Sequence, residues 1–182
     1  MTDEYWIVRD DCGIKTFPRA GSTTILHTYG YGQSYERWLK APRQFIVVRN
    51  PWERLLSAYN LFSGKSIEQK FKVTSVDDCI DYILSRDQEK CDIHFRSQWA
   101  QLGGYGPSPD ILYDMKYFLA NPPLKVSHYK RFLWENRTGR RADEIFTISK
   151  YEEWKKLYSN DFVMWDRAKK APKEGANKPD GS

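Results

Sequence analysis

Cysteine is scarce: Cys12, Cys79 and Cys91 are the only three in 182 residues, an odd number with no C-x-x-C spacing. That pattern argues against a disulfide framework and against a metal site, and it makes reduced thiols in a cytoplasm the default. Long apolar runs are lacking too. No stretch approaches the roughly 20 residues that a membrane-spanning helix requires, and no signal peptide is readable. Histidine is equally rare, with only His27, His94 and His128 to titrate near neutrality. The G-x-x-x-x-G-K-[ST] phosphate loop is absent, no acidic residue is clearly placed to hold magnesium, and no internal repeat is visible.

What is present describes a folded, aromatic-rich chain. Hydrophobic residues make up 40% and aromatics 15%, too much for disorder and enough for one α/β core. We expect a single domain over residues 1–168. From 169 to 182 lysine, proline, glycine and alanine dominate, which predicts a disordered tail. The net charge of +5 fits a protein that handles an anionic ligand, and equally a nucleic-acid binder; charge alone does not separate them.

The chain is organised around residues 45–59. Phe45-Ile46-Val47-Val48 is a short run rich in β-branched residues and reads as a buried strand. Trp52, Leu55, Leu56 and Tyr59 then follow helical spacing. Asn50 can cap that helix, Pro51 suits its first position, and Glu53 sits where a capping box places a carboxylate. Arg49 is thereby set at a strand end beside a helix start, where backbone N–H groups and the helix dipole add to its charge. Ser57 lies two turns further on, on the side that carries Arg54.

Upstream, Pro18-Arg19-Ala20-Gly21-Ser22-Thr23-Thr24 is a second anion-binding signature. It follows a short strand over 14–17 and opens a helix whose first N–H groups point back at the loop. Gly21 permits close backbone approach, and the three hydroxyls add donors. The two segments lie about 30 residues apart, the separation of a βαβ unit. Together they resemble the sulfotransferase family, especially its carbohydrate-modifying branch. That family carries a P-K-x-G-[ST]-T loop for the 5′-phosphosulfate of 3′-phosphoadenosine-5′-phosphosulfate, and an R-[DN]-P-x-x-R-x-x-S strand-helix for the 3′-phosphate.

Looser matches follow. His94-Phe95-Arg96-Ser97-Gln98 is similar to an H-W-R-P-Q element, departing at Phe95 and Ser97. Tyr113-Asp114 resembles the Y-D strand after it, and Tyr158…Asp161-Phe162 resembles a late Y-x-x-D-F helix. Around these, a short helix is expected over 35–39 and a packing helix over 76–84 capped by Ser75 with Asp78. Further strands are expected over 111–118 and 124–129, and helical spacing runs over 151–165. Residues 137–141 hold three arginines in a glycine-containing turn.

The resemblance implies a three-layer α/β/α fold with a central, mostly parallel sheet, P-loop-like in architecture. It implies sulfuryl transfer from 3′-phosphoadenosine-5′-phosphosulfate to a hydroxyl acceptor, a sugar by the branch it matches, with no metal, nucleic acid or membrane as partner. Pro18 through Thr24 would bind the donor's 5′ end, and Arg49 with Ser57 its 3′-phosphate. Arg19 stands where the family has lysine; it keeps the charge but gives up a proton far less readily. His94 is the first choice for the base that takes the acceptor's proton, His27 the second and His128 the weakest, with Glu36 or another carboxylate as a substitute. Animal members are usually anchored in the Golgi, so the chain is either a cytoplasmic relative or a trimmed lumenal one. Two other classes stay open: a P-loop nucleotide kinase or hydrolase, and a non-catalytic basic module that binds polyanions.

Overall fold

The computed structural model describes residues 5–9, 12–30, 32, 34–104, 106–121 and 147–170. In chain order its regular elements begin β1 (Trp6–Arg9), β2 (Cys12–Lys15), α1 (Ser22–Tyr29), α2 (Tyr35–Leu39), β3 (Arg43–Val48) and α3 (Pro51–Phe62). They continue β4 (Ser66–Ile67), β5 (Phe71–Lys72), α4 (Val76–Leu84), α5 (Gln98–Gln101), β6 (Leu112–Asp114), α6 (Met115–Ala120), α7 (Ile148–Leu157) and α8 (Ser159–Lys170). They fall into two compact units. One comprises the described residues within Met1–Arg49, Pro107–Leu133 and Met164–Ser182, the other those within Asn50–Gly106 and Trp134–Val163.

The first unit is α/β, built on a mixed four-stranded sheet in the order β1-β2-β3-β6. β1 is an antiparallel edge strand, while β2 pairs parallel with β3 and β3 parallel with β6. Phe45 through Val48 are all buried, as a strand covered on both faces requires. Ile7, Ile14, Ile25, Phe45, Val47 and Phe118 form the apolar cluster that joins strands to helices. α2 comes down on β2 at Gly13, where a Cβ would meet Trp38 Cδ1 at 2.7 Å and Ala41 Cβ at 3.0 Å.

The second unit is mainly helical around Leu55, Ile80, Tyr82, Ile83, Phe95 and Trp154. α3 starts as its sequence dictates: Asn50 Oδ1 accepts from the Glu53 N–H at 3.1 Å, with Pro51 in the first turn. Trp52 packs edge-on against Tyr151 and Trp154. α4 carries a complete capping box between Ser75 and Asp78. β4 and β5 form a small hairpin whose turn holds Glu68 and Gln69 at positive φ.

Several boundaries differ from the sequence reading, each for a local reason. The strand expected over 14–17 is Cys12–Lys15, because the chain then enters a turn in which the Ala20 N–H donates to Phe17 O, and Pro18 has no N–H to pair. The strand expected over 111–118 stops at Asp114, whose carboxylate accepts from the Lys116 and Tyr117 N–H groups and starts α6. The helical spacing over 151–165 belongs to two helices, broken at Tyr158. α8 runs to Lys170, past the expected start of the tail at 169. The strand expected over 124–129, the arginine-rich turn over 137–141, and His128 lie outside the described residues. Among the described residues no helix is long and apolar enough to cross a membrane.

Gly13 supplies a direct check on the β2–α2 contact. Gly13→Ala forces Trp38 or Ala41 to move and should lower stability by about 1–3 kcal/mol. Gly64→Ala, at φ 76 with nothing within 4 Å, should cost only its left-handed backbone, about 1 kcal/mol. Urea midpoints of the two variants measure the difference.

Candidate anion site and candidate base

In the first unit, parallel pairing sets Lys15 opposite Ile46, so the chain leaves β2 and β3 at the same edge of the sheet. The segment after β2 turns sharply: the Ala20 N–H donates to Phe17 O at 3.0 Å and Thr16 Oγ1 donates to Ala20 O at 3.3 Å. Arg19 and Gly21 both take left-handed backbone, φ 64 and φ 74. For glycine this costs little; for arginine it costs about 1–2 kcal/mol. A charged hydrogen bond offsets it, since Arg49 Nη1 donates to Arg19 O at 2.9 Å. Such bonds contribute about 1.5–3 kcal/mol, enough to hold the turn.

Gly21 is the N-cap of α1, so the N–H groups of Ser22, Thr23 and Thr24 have no partner within that helix. A Cβ at Gly21 would meet Met115 Cγ at 3.1 Å on a left-handed backbone, so a larger residue is strained at the cap. Ser22 and Thr24 are buried and Thr23 is exposed; Pro18 and Ala20 are buried in the turn. Burial and the neighbouring Arg49 charge both hold the Arg19 guanidinium below its ordinary value. Arg49, 8% exposed, thus reaches the turn that leads into α1, and its charge acts on Arg19. A cationic turn leading into a helix N-terminus is a suitable place for an anion. Lys15, buried at the end of β2, places its ammonium 4.3 Å from the Trp6 ring and 5.2 Å from the Phe17 ring.

Of the other candidates in this unit, His27 is exposed on α1, one turn after Thr23 and on the same face. Glu36 is exposed in the first turn of α2. Its own backbone N–H and the Ser34 hydroxyl hold its carboxyl below the usual range, which weakens it as a base.

In the second unit, residues 91–101 are tied down along their length. Arg54, 2% exposed, donates to Ile93 O at 3.1 Å, and Gln101 Nε2 donates to Ile93 O and Arg96 O. Tyr158 Oη donates to Phe95 O. Asp161, fully buried, accepts from the Gln98 and Trp99 N–H groups, each at 2.8 Å, and so caps α5 from 63 residues away. Burial pushes its carboxyl up; those two N–H groups and the Arg54 charge pull it back. The Tyr158-Asp161 pair is therefore a latch on the His94 segment. The two departures from the family element also have local causes. Phe95 packs against Phe62 and Tyr82, and the Ser97 N–H, which proline would lack, donates to Gln88 Oε1 at 2.8 Å.

His94 is held on two sides. Nδ1 lies 2.7 Å from Asp92 Oδ1, which also accepts the His94 backbone N–H at 2.9 Å, and the ring meets Phe62 edge-on with centroids 5.5 Å apart. Burial works against ionisation of Asp92, but the bonds to His94 and the charge of Arg96 win and hold its carboxyl below the usual range. Asp92 is the residue that motif reading passed over. Its signal was the Asp92-Ile93-His94 spacing, which lets one carboxylate close a turn on the residue two ahead. Ser57, 1% exposed, sits on α3 one turn after Arg54.

The structure thus gathers Arg19, Gly21, the α1 N-terminus and Arg49 in one unit, and Ser57, Arg54, Asp92 and His94 belong to the other. Among the described residues no group of three or more His, Cys, Asp or Glu side chains is placed to hold a metal ion. Comparison with family models, with curated proteins and with solved structures returned no match.

The latch can be tested apart from any ligand. Asp161→Ala orphans the Gln98 and Trp99 N–H groups and should destabilise by about 1–3 kcal/mol for each. Asp161→Asn keeps one acceptor oxygen and should lose less. Denaturant unfolding of both variants checks the ranking.

Proposed function

We propose that the protein is a sulfotransferase that uses 3′-phosphoadenosine-5′-phosphosulfate, with a three-layer α/β/α, P-loop-like architecture extending the mixed sheet described above. The observation that carries this reading is Arg49 donating to the Arg19 carbonyl at the carboxyl edge of two parallel strands, beside the α1 N-terminus. The donor set suits a nucleotide that carries charge at both its 5′ and 3′ ends: two arginines, helix N–H groups and three hydroxyls, around a left-handed glycine cap.

Pro18 through Thr24 would hold the 5′ end, with Arg19 countering charge on the departing phosphate oxygen. Arg49 is assigned to the 3′-phosphate, and Ser57 joins it through the resemblance of the Arg49-to-Ser57 spacing to the family's strand-helix motif. His94 takes the acceptor hydroxyl's proton. When bound, the donor supplies the sulfuryl group: the hydroxyl oxygen's electron pair bonds to sulfur as the sulfur–oxygen bond to phosphate breaks, leaving 3′-phosphoadenosine-5′-phosphate. The acceptor is a carbohydrate hydroxyl on the branch resemblance alone, and such a donor site says nothing of which sugar.

Two measurements test this. Arg49→Ala loosens the Arg19 turn for either ligand, but in calorimetry it should cost about 1.5–3 kcal/mol more affinity for 3′-phosphoadenosine-5′-phosphate than for adenosine 5′-phosphate. Equal losses would mean that Arg49 does not read the 3′-phosphate, and no binding of either by the native chain would sink the reading. His94→Ala should lower turnover about 10²-fold or more with donor affinity nearly intact, whereas Arg19→Ala should weaken both and Arg19→Lys restore much of both. A stably folded His94→Ala protein with near-normal turnover would move the role of base to His27.

A further inference from the structure

His94 does not stand alone. Nδ1 is 2.7 Å from Asp92 Oδ1, a carboxylate that is itself only 27% exposed. The Asp92 backbone is fixed in turn, because its N–H donates to Tyr82 Oη at 2.9 Å. Tyr82 Oη donates onward to Glu68 Oε1 at 2.6 Å, and Glu68 Oε2 accepts from Arg86 Nη1 at 2.7 Å. Arg86 also lies over the Tyr82 ring, 4.5 Å from its centroid. The line of contacts therefore runs from the β4–β5 turn through α4 to the histidine, entirely within one unit. Glu68 enters it from a left-handed backbone position at φ 52. From the other side the Phe62 ring fixes the plane of the imidazole.

We infer that Asp92 is a positioning residue which holds His94 in a single tautomer, Nδ1–H donated to Asp92 and Nε2 presented as a lone pair, and that Tyr82 holds Asp92 in place. The physical reason is that an ionised carboxylate only accepts, so the imidazole nitrogen beside it must carry the proton. The other nitrogen is then the acceptor, which is the form a general base requires. The held-down Asp92 carboxyl agrees with an ionised partner. When Nε2 takes a proton, the imidazolium keeps its Nδ1–H on Asp92 and the new positive charge faces a carboxylate. No proton needs to pass to Asp92. Glu68, Arg86 and Tyr82 act one step further back, on the Asp92 backbone rather than on the imidazole.

The role as base rests on the sulfotransferase reading; the tautomer does not. The experiment is therefore done first without donor or acceptor, on the full chain labelled with nitrogen-15 in histidine. Long-range proton–nitrogen spectra at a pH where the imidazole is neutral should show His94 with a protonated Nδ1 and a bare Nε2. His27 and His128 serve as internal references, and His94→Gln assigns the signal. Asp92→Asn, whose amide can donate as well as accept, should convert a large share of His94 to the Nε2–H form. Tyr82→Phe should produce a smaller shift in the same direction. A native His94 that is mainly Nε2–H, or an Asp92→Asn protein that keeps the native tautomer, would overturn the inference; the native spectrum decides even if the variant fails to fold. With donor and acceptor, Asp92→Asn should lower turnover on the order of 10²-fold at unchanged donor affinity, and Asp92→Glu should recover part of it. If the tautomer is as stated but no 3′-phosphoadenosine compound binds, the sulfotransferase reading fails and the positioning role stands.

Discussion

The parallel pairing of β2 with β3 is the constraint on which the first unit depends. Antiparallel partners leave a sheet at opposite edges, whereas parallel ones leave together. With Lys15 opposite Ile46, the turn that begins at Thr16 and the guanidinium of Arg49 emerge side by side. Everything of chemical interest in this unit follows. Arg49 can reach the Arg19 carbonyl, the carbonyl bond offsets a left-handed arginine, and Gly21 then points α1 so that its first N–H groups face the turn. A register slip of one residue in β3 would exchange Phe45 and Val47 with Ile46 and Val48 between the two covered faces and shift Arg49 from the Arg19 carbonyl.

This dependence explains what could be read from the chain beforehand. Strong local signals transferred almost unchanged: the Ser75–Asp78 capping box, the Asn50-Pro51 helix start, and the buried run ending at Val48. Each is decided by residues within four positions of one another. The misplaced ends have non-local or competing causes. Asp114 reads as the middle of a longer strand until its carboxylate is seen capping α6, and there the cap outweighs the β-propensity of Tyr117 and Phe118. The break at Tyr158 was hidden because apolar spacing continues across it, and periodicity is blind to a change of helix axis.

The two motifs also differed in how much they disclosed. The Pro18–Thr24 loop and Arg49 can be paired from spacing alone, because a βαβ unit has a narrow range of lengths. The His94 segment could be matched but not understood, because its partners are far away in sequence. Arg54 reaches it across 39 residues, Asp161 across 63. No spacing rule connects them, yet the tertiary contacts are what make 91–101 rigid.

That rigidity bears on how the histidine segment can work. A side chain on a loop is held to within a fraction of an ångström only when the backbone beneath it is bonded throughout. Here the carbonyl oxygens of Ile93, Phe95 and Arg96 are all engaged, and the N–H groups at the start of α5 meet a buried carboxylate. Burying that carboxylate would be unfavourable by itself, and it is tolerated because two backbone donors and an arginine charge surround it. The segment thus stores its order in the scaffold, and in the other unit the left-handed Arg19 is held by the Arg49 bond to its carbonyl.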